Sequence, residues 1–149
     1  MKNGNNEVLV GGAIVFKEGK TKKMFLLSKN SNGDFEIPKT TVRRGESSVR
    51  AVIRYTSEQG NMNARVLDEV GRATGSATIN NRQITQKYIY YLMFYKAGAE
   101  VMGMGEVSWF DKDQTNRKLT LKREKDMIKT AGSMIKEWEK KKKKRPSQS

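Results

Sequence analysis

The sequence predicts one domain of the α/β class, on three observations. Runs rich in β-branched and aromatic residues, at Val8–Val10, Ala13–Phe16, Lys23–Ser28, Ala64–Ala73 and Lys87–Tyr95, have the make-up of strands. Two segments, 47–59 and about 122–140, repeat apolar residues at helical spacing. The 149 residues suffice for a single core, and no internal repeat or linker divides them. Residues 1–139 are therefore expected to form the domain, and 140–149 a basic, disordered tail.

In chain order, residues 1–6 are polar and expected to fray. The first strand, around 8–16, is followed by a turn at Lys17–Lys20 and a second strand at 23–28, which together suggest a hairpin. Asn30–Asp34 (NSNGD) is rich in residues that tolerate left-handed backbone and reads as a turn. A short extended piece, Phe35–Pro38, leads into a loop at Lys39–Gly45. The helix over 47–59 has Ser47 as its expected N-cap and Gly60-Asn61 as its stop. Val49, Val52, Ile53 and Thr56 make its expected buried stripe. Thr74–Gln86 reads as a polar connection, Glu106–Phe110 as a last short strand. The closing helix should dock through Met127, Ile128, Ala131, Met134, Ile135 and Trp138.

Composition narrows the chemistry. There is no cysteine and no histidine, which excludes disulfides, thiolate and imidazole metal ligands, and Cys- or His-dependent nucleophilic catalysis. Acid–base or metal chemistry would rest on Asp, Glu, Lys or Tyr. Val8–Phe16 is too short to cross a bilayer, is interrupted by Gly11-Gly12, and has no basic stretch before it. An intracellular protein is expected, cytosolic or, in a eukaryote, nuclear. The formal charge is +14, and Lys140–Arg145 supply six of these charges. Such a balance points to a polyanionic partner, because Lys and Arg displace counterions from phosphates.

The informative stretch is Phe35-Glu36-Ile37-Pro38-Lys39, then Gly45-Glu46, Arg54 and Glu58. This resembles the Nudix box, G, five residues, E, seven residues, R-E-U-x-E-E-x-G-U, where U is apolar. Glu46, Arg54 and Glu58 fall at the box's first glutamate, its arginine and the first acid of its E-E pair. Ile-Pro-Lys resembles the L-P-K-G that commonly opens the loop. The strand at Gly11–Phe16, the aromatic strand, the Val107–Phe110 strand and the closing helix follow in the family's order, over roughly residues 8–138. The resemblance implies an α/β/α sandwich with a mixed β-sheet, the box helix and a C-terminal amphipathic helix.

In an active member, the resemblance implies, three glutamates at i, i+3 and i+4 share a helix face. They gather magnesium or manganese, which bridges a diphosphate and activates a water. Here those positions are Tyr55, Glu58 and Gln59, while Thr40 and Asn61 stand where the box has glycines. A phenol stays protonated near neutrality and an amide is uncharged. If metal binds at all, Glu58 is its expected ligand, with Gln59 and Glu106 as further candidates and Glu36, Glu46 and Glu100 as residual ones. Glu46, Arg54 and Glu58 would be the catalytic set, although Glu46 and Arg54 also suit a purely structural tie between loop and helix.

Base has accumulated where acid is missing. Lys39, Arg43 and Arg44 lie on the loop that in the family faces phosphates, Arg50 and Arg54 on the next helix, and Arg72 and Arg82 flank the later connection. Lys39, Arg43, Arg44, Arg50 and Arg82 are thus candidate phosphate contacts. Of Tyr88, Tyr90, Tyr91 and Tyr95, alternate members must face the core, so at most half are free to stack bases. The expected function is binding of RNA or a nucleotide or diphosphate ligand with little or no hydrolysis. The alternatives are a metal-dependent Nudix hydrolase of a nucleoside diphosphate-linked compound or capped RNA end, and a small ribonucleoprotein subunit. No membrane partner is expected.

Overall fold

A computed structural model describes residues 6–144. The expected fraying of residues 1–5 and the end of the basic tail lie outside them. The elements are β1 (Glu7–Glu18), β2 (Lys23–Lys29), β3 (Phe35–Glu36), β4 (Lys39–Thr41), α1 (Ser48–Arg54), β5 (Met62–Ile79), β6 (Arg82–Gly98), β7 (Val107–Asp111), α2 (Lys112–Lys118) and α3 (Lys122–Lys144). A single π-helical turn, Tyr55–Gln59, prolongs α1.

The strands form one mixed sheet in the order β3-β2-β1-β6-β5, with β4 also on β1 and β7 on β2. β1 runs parallel to β6 over ten residue pairs, from Glu7–Thr85 to Phe16–Phe94, and antiparallel to β2 and β4. The expected β1–β2 hairpin is present, but only Phe16 to Glu18 pair with it. Farther along, β2 pairs with β3, and its other edge carries β7 from Met24 to Ser28.

Both sheet faces are roofed, so period-2 alternation sorts residues between two cores rather than between core and water. Ile14, Phe16, Tyr90 and Leu92 point to α3, where Ile128, Ala131 and Ile135 meet them. Ala13, Val15, Tyr91 and Met93 point to the other side, against Val52 and Tyr55. This is why no tyrosine of β6 projects freely: Tyr88, Tyr90 and Tyr91 are all buried, and Tyr95 packs edge-on to Trp109 at 5.3 Å. The α/β/α sandwich is thus in place.

The two glycines that interrupt the first apolar run each leave room that a neighbouring side chain fills, Val52 of α1 at Gly11 and Tyr90 of the adjacent strand β6 at Gly12. A Cβ on Gly11 would lie 2.8 Å from Val52 Cγ1 of α1, and one on Gly12 would lie 2.4 Å from the Tyr90 ring. Each glycine admits a neighbour on a different face of the same strand.

Four expectations need correction. Thr74–Gln86 is not a connection but the far half of an antiparallel ribbon, closed by Asn80 and Asn81, both with left-handed φ (52° and 64°). The two-asparagine turn matches the twist of the strands it joins, and its flanks are polar because they extend beyond the helices. Ile53 is 45% exposed, turned away from the sheet, whereas Tyr55 is buried in its place. α2 was not anticipated, although Asp111 and Gln114 form a reciprocal capping box that marks its start. Finally, α3 continues through Lys144, so most of the lysine run is helical.

Candidate functional site

The loop between β4 and α1 is shaped by one carboxylate. Glu46 accepts from Arg54 Nε at 2.7 Å and Nη2 at 3.0 Å, and from the backbone N–H of Arg43 at 3.0 Å. Arg54 also reaches the Thr41 carbonyl at 3.4 Å. The fork-to-fork pair closes the turn around Gly45, whose φ of +79° suits glycine. The Arg54 hydrogen bonds, followed by the Arg43 N–H, hold the Glu46 carboxyl down at about 2. Ser47 then caps α1, accepting from the Arg50 N–H at 3.2 Å. Ser48 bonds Tyr91 through its hydroxyl at 2.6 Å, fixing α1 to the sheet.

Arg43, Arg44 and Arg50 surround this tie, are exposed, and make no ion pair among the described residues. Lys39 is placed differently. Its ammonium lies 2.6 Å from both Glu36 Oε1 and Glu124 Oε2 and donates to the Ile37 carbonyl at 2.9 Å, with its side chain only 13% exposed. Arg82 sits at the tip of the ribbon, bonded to Asn6 Oδ1 at 3.0 Å and outside this cluster. Arg72 pairs with Glu69 at 2.8 Å.

The three positions that would share a helix face do not. They lie in the π-turn, closed by the Gly60 N–H on the Tyr55 carbonyl at 3.0 Å, where five residues rather than four span the bond. Tyr55 is buried in the apolar cluster beneath α1, and burial, with the Glu36 carboxylate beside it, raises its phenol above the ordinary value. Glu58 is exposed. Gln59 faces the 99–106 loop: its carbonyl accepts from the Gly103 N–H at 2.9 Å, and its side-chain amide reaches the Gly103 carbonyl at 3.5 Å. Asn61, not Gly60, takes the left-handed conformation (φ 56°) and steers the chain into β5. Glu106 forms a long contact of 3.7 Å with Lys29, and the Glu100 carbonyl accepts from Asn61. Among the described residues, no three carboxylates converge as a metal site would require.

Glu124 was missed in the sequence. Although fully buried, it receives the Ile37 N–H at 2.9 Å, Lys39 at 2.6 Å and the Tyr90 hydroxyl at 2.7 Å. Burial and the adjacent Glu124 charge push the Tyr90 phenol upward. It couples the Ile-Pro-Lys entry of the loop to α3. A signal existed: Glu124 falls in phase with Ile128, Ala131 and Ile135 on the buried stripe of α3.

The mixed sheet clasped between a short helix after a Glu–Arg-tied loop and a long C-terminal helix is the Nudix fold. A crystal structure of an Ap4A hydrolase from C. elegans superposes with a TM-score of 0.65 at 16% identity, over 86% of this chain and 98% of that one. A Nudix hydrolase from Nitrosomonas europaea gives 0.66 at 15%, over 85% and 88%. The Nudix domain of NrtR from Shewanella oneidensis, complexed with ADP ribose, gives 0.62 at 16%, over 87% and 88%. The sequence matches no family model and no curated protein.

Proposed function

We propose that this chain is a Nudix-fold binding protein for a nucleotide or diphosphate-containing ligand or RNA, with little or no hydrolysis. The observation that carries this is the π-turn. One exposed carboxylate, Glu58, a buried neutral phenol, Tyr55, and an amide engaged with Gly103 are a poor donor set for a hard divalent cation. Magnesium or manganese prefers several anionic oxygens, and these residues do not fit it. Exposed Arg43, Arg44 and Arg50 beside the tied loop would meet phosphate oxygens directly, without a bridging cation. Lys39 would contribute order rather than charge, since two carboxylates already neutralise it. The neighbours are consistent with a nucleotide-type ligand, one being an Ap4A hydrolase and another an ADP ribose complex. No described helix is long and apolar enough to cross a membrane; an intracellular setting, with an RNA or nucleotide partner, remains part of the proposal.

The second reading, a slow metal-dependent hydrolase acting through Glu46, Arg54 and Glu58 with Glu106, is favoured by the intact Glu46–Arg54 tie. A role as a small ribonucleoprotein subunit draws on the same charge. Calorimetry with ADP-ribose, and turnover assays with dinucleoside polyphosphates and capped RNA in magnesium or manganese, separate these. Binding that persists in chelator and weakens in Arg43→Gln/Arg44→Gln is expected. Turnover abolished by Glu58→Ala would overturn the binding reading in favour of the hydrolase.

A further inference from the structure

The box lies on only one face of the sheet, and the basic residues are not confined to it. On the opposite face, two concavities of about 390 and 440 Å³ flank α2 and α3. Lys112 lines both. Its side chain crosses α3 at the buried Gly132, where an added Cβ would stand 3.0 Å from the Lys112 ammonium. Gly132 is therefore a notch that seats the Lys112 side chain against α3, at the border shared by the two hollows of this α2–α3 cleft.

The acids of this cleft are mostly engaged. Glu139 holds Lys23 at 2.6 Å, Asp126 holds Lys122 at 3.3 Å, and Asp111 lies 3.9 Å from Lys22. Lys112, Lys125, Lys129 and Lys136 make no ion pair among the described residues, and only Asp113 faces them without a lysine of its own. At about 1.5 Å per helical residue, the row from Lys122 to Lys136 spans about 21 Å, the reach of several nucleotides. Lys140, Lys141 and Lys143 prolong it along the same helix, all exposed.

We infer that the α2–α3 cleft takes the sugar–phosphate backbone of a single-stranded RNA, leaving the box face to the nucleotide-type ligand. This rests on the RNA half of the proposed function and gives it a location. A bilayer surface fits less well. The apolar side of α3 is turned to the core through Ile128, Ala131 and Ile135, with Met127, Met134 and Trp138 packed against it. The lysine face is therefore far more charged than apolar and lacks the broad apolar face that insertion among acyl chains requires. Lys112, Lys125, Lys129 and Lys136, without ion pairs among the described residues and lining a concave surface, suit a flexible polyanion, to which each contributes by counterion release.

The test is fluorescence anisotropy of the full chain with a labelled oligouridine of about 20 nucleotides, across about 50 to 300 mM salt. For Lys112→Gln/Lys125→Gln/Lys129→Gln, affinity should fall at least about tenfold, and the slope of log affinity against log salt should shrink by about 2, at roughly 0.7 per lost phosphate contact. These are surface changes, and an unchanged melting curve confirms the fold. Arg43→Gln/Arg44→Gln/Arg50→Gln should weaken ADP-ribose and cost RNA clearly less affinity and less salt slope than the lysine changes do. The opposite pattern, RNA lost with the arginines and kept without the lysines, overturns the cleft assignment but leaves the proposed function standing. No RNA binding by the unmodified chain removes the RNA half of both, whereas ADP-ribose calorimetry still tests the box face. Phosphatidylserine vesicles that compete RNA away only from the unmodified cleft, and bind it more tightly than RNA does, would reassign it to a membrane surface.

Discussion

On one face of the sheet, α1 is only seven residues long and is anchored at its edges, by Ser47 at its N-terminus, Ser48 on Tyr91 and the Glu46–Arg54 pair at the surface. On the other, α3 runs for 23 residues and is anchored from within, by a fully buried carboxylate with three donors. The ion pair wholly inside the recognisable motif is thus the solvent-bordering one, whereas the interior pair joins the motif's Lys39 to a carboxylate, Glu124, that no motif announces. The contrast teaches that a motif's charges and a fold's most consequential charges need not coincide. Water screens the first; nothing but its three partners solvates the second.

The largest expected effect is on the interior side. Glu124→Ala leaves the Ile37 N–H and the Tyr90 hydroxyl without their acceptor and Lys39 with only Glu36 and the Ile37 carbonyl, and should cost about 3–5 kcal/mol in urea unfolding. A loss under about 1 kcal/mol would mean that water replaces the carboxylate and that the interior charge is not the stronger anchor. Next comes the place on β1 where the Tyr90 ring of β6 lies against the backbone. Gly12→Ala drives a methyl into the Tyr90 ring and should cost about 1–3 kcal/mol, with Tyr90→Leu in the same chain recovering part of it.

The surface pair should show itself through pH rather than magnitude. Glu46 titrates at about 2 when folded, below the ordinary carboxylate value of 4.5. Its contribution is therefore complete above pH 4.5 and is lost as pH falls from there towards 2. The melting temperature of the unmodified chain should exceed that of Glu46→Gln near neutrality, and the gap should close across that window. A gap independent of pH would assign the effect to packing instead. Smallest of all, Ile53→Lys should change stability by no more than about 0.5 kcal/mol, because Ile53 faces solvent on the outer side of α1.

How far the fold could be read from the chain follows the same division. Glu46, Ser47 and Arg54 act over short, fixed intervals on one loop and helix, so the resemblance to the box announced the first and last, and the N-cap preference of serine the second. The closing helix was legible because Ile128, Ala131 and Ile135 repeat with its period. Glu124 was not, since its partners are 87, 85 and 34 residues away and it sits in a run that reads as solvated charge. Asn80-Asn81 carried its turn signal in plain view, but the polar ribbon around it lacks the apolar alternation by which strands are recognised. Ile53 and Tyr55 exchanged places because the expected stripe was centred on the wrong side of the helix: Ala51, Val52 and Tyr55, at i, i+1 and i+4, make the buried face, and Ile53 lies away from it.

That widened turn has a consequence for direction. A π-turn holds one residue more than an α-turn, and one residue is worth about 100° of rotation about the axis. The Tyr55–Gln59 turn therefore acts as a phase shift for the residues after Tyr55: it leaves Glu58 pointing out and delivers Gly60 and Asn61 on the bearing from which β5 can start. A chain one residue shorter here would aim its carboxylate, and the strand after it, somewhere else.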